Sequence, residues 1–400
     1  MSKKNKDISA VFDKLKQYCE KEEFKGYDPF DGLNSKFFQS IPFVRRHRFF
    51  RLAWIQFFKQ CFINFRPVVG VKKDYNPKGL GLFLSGYCNL YKTDPKDEYL
   101  EKINFLINKI YACQSQGYSG ACWGYNFDWQ SMAFFQPKGT PSVVVSSFIA
   151  CALLDAYQIL KDEKLLKTAR STCDFILNDL NKTYDEDGDF SFSYSPMDKT
   201  EVFNASLLGC RLLCRVYSYT QEAFLLEESQ KAVSFVCKHQ QNNGAWTYSP
   251  LPFHQWIDNF HTGYNLECIH TYQSISGDRS FNEHLEKGLK YYLETFFKED
   301  GMPAYYYNST YPIDMHNTAQ LIVTLSKLER FTENKELIDR VLNWSQDNMF
   351  HKKKGYFYYY RQRFYTVRTC YMRWIQAWMF LGYSHYFLNK YYAEKTGFHK

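Results

Sequence analysis

Four hundred residues with 45% hydrophobic and 23% charged side chains describe a globular chain, long enough for two domains or one large repeat. The net charge of +8 falls in short clusters, such as residues 45–48 and 352–354, with no continuous basic stripe. That excludes nucleic acid as the expected partner and weakly favours an anionic ligand.

The first residues, MSKKNKDISAVFDKLKQ, are basic and lack the apolar stretch of a secretory signal. No run of about eighteen apolar residues stands out as a transmembrane span. The twelve cysteines lie scattered in apolar stretches, without Cys-x-x-Cys or zinc spacing. A cytoplasmic location is expected, with no disulfide framework, metal or cofactor, and oligomeric state is left open. Residues 1–26 read as an N-terminal helical extension and 27–400 as one domain.

The next two stretches, GYDPFDGLNS and INFRPVVGVKKDYNPKGLG, hold Asp28, Asp31, Arg66 and Lys78. Turn chemistry accounts for most of them, with Arg66 and Lys78 in reach of a central site. Between and after these stretches, RRHRFFRLAWIQFFKQ and NPKGLGLFLSGYCNLYK predict a first helical hairpin.

Beyond it, a pattern of aromatic–x–Tyr recurs: Trp123-Gly-Tyr125, Phe192-Ser-Tyr194, Trp246-Thr-Tyr248, Tyr305-Tyr-Tyr307 and Phe357-Tyr-Tyr359. Successive copies stand 69, 54, 59 and 52 residues apart. Before each lies an amphipathic helical stretch, such as LLKTARSTCDFILNDL, and after each a more apolar one, such as VFNASLLGCRLLCRVYSYT. Apolar residues recur at three- and four-residue spacing in both, so one charged-faced outer helix pairs with one buried inner helix. Six such hairpins predict an all-α (α/α)6 toroid, whose repeats bury their apolar faces only by stacking around a closed ring.

In a toroid the inner helices converge on a funnel, and the loops entering them form its rim. The longest of these, GYNFDWQSMAFFQPKGTPSVV, carries Asp128, Trp129, Gln130 and Lys138, and its length suits a functional rim. Aligning the inner-helix starts places Asn204, His261 and His316 in equivalent positions, with Asp258 and Asp314 just before the two histidines. The bland reading is a capping Asp and a core His; repeated imidazoles beside acids point instead to one shared pocket. Asn265 follows a turn after His261. The last copy, TVRTCYMRWIQAWMFLGY, adds Arg368 and Arg373, each needing an anion, internal or bound.

The strings YNFDWQSMAFFQPKGTP, IDNFHTGYNLECI and MRWIQAWMF resemble a bacterial and archaeal family of six-hairpin proteins associated with polysaccharide biosynthesis, over residues 27–387 or so. Members often carry a δ-aminolevulinate dehydratase label. That label demands βα alternation and a zinc cluster, and the sequence has neither. RWIQAWMFLGY is also similar to the RGQAW-type inner helix of unsaturated glucuronyl hydrolases, with Ile375 in place of the glycine. Uronate epimerases, polysaccharide lyases and N-acylglucosamine 2-epimerases share the toroid, and fold alone does not choose among them.

The resemblance implies a carbohydrate-active enzyme working on an acidic, uronic-acid-type glycan or glycosyl precursor by epimerisation, elimination or hydrolysis. Asp128, Asp258, His261 and His316 are the expected acid/base groups. Lys138, Arg368 and Arg373 are expected to hold a carboxylate, and Trp123, Trp129, Trp246, Tyr248 and Tyr305 to stack on sugar faces, with Gln130 and Asn265 as polar contacts. The competing reading is a non-catalytic glycan-binding or assembly protein of a polysaccharide locus.

Overall fold

A computed structural model describes residues 8–131 and 134–395; residues 1–7 of the expected extension and 396–400 lie outside it. In chain order the helices are α1 (Ile8–Lys21), the short α2 (Lys36–Gln39) and α3 (Pro42–Arg46), and α4 (Arg48–Gln60). There follow α5 (Pro77–Thr93), α6 (Asp97–Ala112), α7 (Val143–Leu160), α8 (Glu163–Asp179), α9 (Phe203–Thr220) and α10 (Ala223–Lys238). The last are α11 (Asn259–Ser276), α12 (Asn282–Phe296), α13 (Met315–Lys327), α14 (Lys335–Met349) and α15 (Ala377–Lys395), the last entered through a π-helical turn at Met372–Gln376.

Helices α5, α7, α9, α11, α13 and α15 pack each on the next, and α15 packs back on α5. This closed inner ring is the predicted (α/α)6 toroid. Its members are buried nearly all round: α7 buries Val143 to Leu154 without interruption. Length and composition would let α7 cross a bilayer, and here 72% of it is covered by neighbouring helices. The sequence reading passed over this run; ring packing gives the apolar surface its partner. The outer helices bury one stripe each, as α8 does with Leu165, Ala169, Thr172, Cys173 and Ile176 at helical spacing.

The first hairpin differs from the expectation. Residues 45–60 were to be the outer partner of α5, but α1 fills that place. Phe12, Leu15 and Cys19, on one face of α1, join the main core, Phe12 against Phe380 and Phe387. The glycines before the aromatic motifs mark the equivalence. A Cβ on Gly120, Gly244, Gly301 or Gly355 would lie 1.8–2.6 Å from the carbonyl of Ser171, Lys287, Arg340 or Lys14, on α8, α12, α14 and α1 respectively. Four of the five motifs thus abut the next outer helix, and for the last copy that helix is α1. Helix α4 buries only Ile55 and Phe58 and belongs to a small second cluster with Leu33 and Phe38, laid over the rim.

Short antiparallel strands brace the rim loops, among them Trp129–Gln130 against Phe135–Gln136, and Ile313–Asp314 against Tyr360–Arg361. All twelve cysteines are free thiols.

Candidate active site

The second residue of each inner-ring segment points into one central cavity of about 240 Å³: Lys78, Val144, Asn204, Phe260, His316 and, in the π-helical turn, Arg373. Six helix starts therefore surround the cavity and turn the positive ends of their dipoles toward it. Caps fix these starts. Asn76 accepts from the N–H groups of Lys78 and Gly79, Asp258 from His261, and Asp314 from His316.

His261, one residue later in α11, also lines the cavity. The Asp258 carboxylate accepts its backbone N–H at 3.0 Å and lies 2.7 Å from Nδ1. Trp256 Nε1 donates to the same carboxylate at 3.1 Å. Asp258 thus holds the imidazole with the proton on Nδ1, and Nε2 has no partner among the described residues. Tyr248, stacked on Trp256 at 4.5 Å, closes one side, its ring 4.7 Å from the His261 ring.

His316 is buried between Phe260 and Trp378, whose rings lie 4.4 and 4.3 Å from its own. Its Nε2 is 3.0 Å from the Tyr264 hydroxyl, and its buried Nδ1 has no partner among the described residues. Burial first, then the charges of Lys78 and His261, hold its pKa well below the ordinary histidine value. Both imidazoles face Phe260, His261 at 4.1 Å, so they share the pocket. Behind them Asp314 accepts from Trp374 Nε1 at 2.8 Å, and burial pushes its carboxyl up to about 7.

Lys78 reaches the floor of the cavity, 4.3 Å above the Phe148 ring and 5.5 Å from those of Tyr264 and Trp378. Its ammonium has no hydrogen-bond or ion-pair partner among the described residues. Burial, reinforced by Arg373 and Arg211, lowers its pKa well below the usual lysine value. Lys59, at the end of α4, lines the mouth and is lowered by burial as well. Among the described residues Asp258 is the one carboxylate in the cavity wall.

Of the residues singled out in the sequence, the cavity gathers Lys78, Trp129, Asn204, Tyr248, Asp258, His261, Tyr305, His316 and Arg373. Arg373 is committed: its Nε and Nη2 each lie 2.6 Å from an oxygen of the buried Asp28 carboxylate. That is the internal partner the sequence left open, and it reduces Arg373 to a wall charge with Nη1 to spare. Arg66 pairs with Asp31 through Nε alone, gives Nη1 to the Tyr371 hydroxyl and Nη2 to the Asp28 carbonyl, and stays outside.

The others lie elsewhere. Trp123 and Trp246 are core, their indole N–H groups donating to the end carbonyls of α6 and α10 at Ile110 and Val236. In the first three copies of the motif it is the tyrosine two residues on that faces the cavity: Tyr125, Tyr194 and Tyr248. Asp128 accepts the N–H of Lys138 at 2.7 Å, and Gln130 bonds Arg51 and the carbonyls of Ser131 and Phe134, so both hold the long loop together. Lys138 is exposed, 3.8 Å from Asp74. Arg368 is exposed in a separate outer cleft, over Tyr358. Asn265 is buried in α11 with Oδ1 unpartnered, behind the cavity wall. No group of three His, Cys, Asp or Glu side chains among the described residues is placed to hold a metal.

No family model matches the sequence, and neither does any curated protein. Solved structures do. The chain matches cellobiose 2-epimerase from Bacillus thermoamylovorans with a TM-score of 0.63 at 12% identity, over 79% of this chain and 88% of that one. It matches an unsaturated glucuronyl hydrolase specific for heparin at 0.63 and 11%, over 98% and 97% of the two chains. A family 76 α-mannanase from Bacteroides thetaiotaomicron matches at 0.63 and 11%, over 96% and 97%. At these identities the likeness shows the fold alone: the chain is an (α/α)6 toroid.

Proposed function

We propose that the protein is a carbohydrate-active enzyme that moves a proton on an anionic, uronate-type sugar, as an epimerase or lyase does. One observation carries this reading: two imidazoles share a cavity ringed by helix N-termini and lysines, with a single carboxylate in its wall. Hydrolysis wants two carboxyl groups across the bond, whereas Asp258 is tied to His261.

A uronate carboxylate suits the positive end of the cavity, where Lys78, Lys59 and the spare nitrogen of Arg373 neutralise it. That neutralisation acidifies the adjacent C–H, because the enolate-like charge formed on deprotonation spreads onto the same oxygens. His261 is the base: Asp258 fixes Nδ1–H, leaves Nε2 to take the proton and stabilises the resulting imidazolium. The neutral His316–Tyr264 pair, on the other side of Phe260, is placed to return a proton. Tyr125, Tyr194, Tyr248 and Trp374 supply flat walls for the sugar ring. The volume, below the range of about 300–1,000 Å³ usual for drug-sized ligands, suits one ring at a time. An epimerase and a glucuronyl hydrolase share the fold, which agrees with sugar chemistry.

The test is incubation with uronic acids and their short oligomers in deuterated water, followed by proton NMR. Deuterium entering the C–H beside the carboxylate supports the reading. A new olefinic proton without deuterium would report elimination, and new reducing ends with neither deuterium nor an olefinic proton would make the protein a hydrolase. Saturable binding with none of these changes would make it a glycan-binding protein.

A further inference from the structure

Residues 32–73 contain no Asp or Glu, nine Lys or Arg, and ten Phe or Trp. They build α2, α3 and α4, which do not belong to the ring and are explained by no packing role beyond the small cluster that fastens them. Their outward side chains are apolar and basic together. Phe43 and Phe49 are 70% and 65% exposed, and Arg45, Arg46 and Arg48 stand between them on the surface. Arg45 and Arg46 make no ion pair among the described residues.

The patch is continuous across two chain segments. Phe37 lies 6.1 Å from Trp54, Trp54 6.2 Å from Phe57, and Phe57 6.1 Å from Phe65. Phe62 then reaches Tyr365 at 6.3 Å, beside Phe364, which is 88% exposed under Arg363. The wider surface repeats the bias. Of sixteen large hydrophobic side chains exposed among the described residues, fourteen lie in segments that lead into inner helices, and so at the cavity end of the toroid. Soluble surfaces scatter such groups; gathered at one end they mark a contact face.

We propose that this end of the toroid docks on an anionic lipid bilayer, with α3, α4 and the 361–366 turn lying at headgroup level. Exposed phenylalanines interleaved with arginines are the composition of an interfacial segment, apolar rings entering the acyl boundary while guanidinium groups meet phosphates. Face-to-face pairing of two copies would set one acid-free basic patch against another, which like-charge repulsion opposes. Nucleic acid would answer the arginines and leave most of the phenylalanines wet. Docking would also place the mouth at the membrane, since Lys59 of α4 lines the cavity and Arg51 holds the Trp129–Gln130 strand of its rim through Gln130. That the sugar arrives attached to a lipid rests on the function proposed above; the docking itself does not.

The experiment is co-sedimentation of the full chain with sucrose-loaded vesicles of phosphatidylcholine alone or with about 30% phosphatidylglycerol. The expected result is binding to the anionic vesicles, weakened by 0.5 M salt (about half of the ordinary screening length remains), with little binding to the neutral ones. Arg45→Gln with Arg46→Gln lowers the partition coefficient about thirtyfold, from the usual gain per basic residue at such surfaces. Phe43→Ser with Phe49→Ser and Phe364→Ser lowers it further while the circular dichroism spectrum stays that of the parent. Equal sedimentation with both vesicle types, or variants that bind like the parent, overturns the proposal. So does light scattering showing a dimer that the phenylalanine variant loses, or tighter binding to polyuridylate than to the vesicles. None of these readouts depends on turnover, so a failed search for sugar chemistry leaves the docking result intact.

Discussion

His316 offers the sharpest test of the site's electrostatics, through the variant His316→Phe. Phenylalanine keeps a flat ring between Phe260 and Trp378 but cannot titrate and cannot bond the Tyr264 hydroxyl, 3.0 Å away in the parent. Tyr264 is 2% exposed, so its orphaned hydroxyl costs about 1–3 kcal/mol near pH 7.5. The parent pays a different cost. Its folded-state pKa is depressed by burial and by the neighbouring cations, while the unfolded histidine titrates near 6.5. Below that pH the unfolded chain binds a proton the folded one refuses. The parent's stability is therefore fully present above pH 6.5 and falls by about 1.4 kcal/mol for each unit of acidification beneath it. The variant lacks this term, so the gap between the two closes on acidification and their stabilities cross between about pH 4.3 and 5.8. Urea unfolding of both proteins at half-unit steps from pH 7.5 to 4.0 measures the crossing. A gap that stays constant over that range would mean His316 titrates alike folded and unfolded, and the buried neutral imidazole would be refuted.

His261→Asn keeps a hydrogen-bonding group and removes the proton carrier; urea midpoints should stay near the parent while sugar turnover falls at least about a hundredfold. Asp28→Asn strands the Arg373 guanidinium, 2 % exposed, in a buried place, and should cost about 3–5 kcal/mol in urea unfolding, with Arg373→Met in the same chain recovering part of it. Trp246→Ala should lower stability by about 3–5 kcal/mol and leave sugar affinity of the folded fraction unchanged. Tyr248→Ala should do the reverse, weakening the sugar by a factor of about 2–13 in calorimetric titration with little change in midpoint.

The toroid was legible because a ring of repeats writes its period into the chain: motif spacing of 52–69 residues and helical apolar spacing recur together. Chemistry was legible in outline where the period carried it: Asn204, His261 and His316 line one cavity, but His261 stands one residue past the position that Asn204, Phe260 and His316 share, so the alignment was off by one there. Phase was harder. Spacing cannot tell which aromatic of a motif turns inward, since both are apolar, and the tryptophans went to the outer-helix ends because an indole N–H there meets an unsatisfied carbonyl. The sixth outer helix was misread for a related reason. Residues 45–60 have a helical period and an aromatic face, as an outer helix would, but their cations outnumber any acids, and the ring's gap was filled by α1 from the far end of the chain. Closure of a ring is a long-range fact, visible only when Gly355 is seen to rest on Lys14. Lys78 shows the same division. Its register was available, as it is the second residue of an inner helix just like Asn204 and His316. What the register does not contain is the neighbour that fails to appear: no acid comes to meet Lys78 among the described residues. That unpaired lysine, beside two imidazoles, is the feature on which the proposed anionic substrate rests.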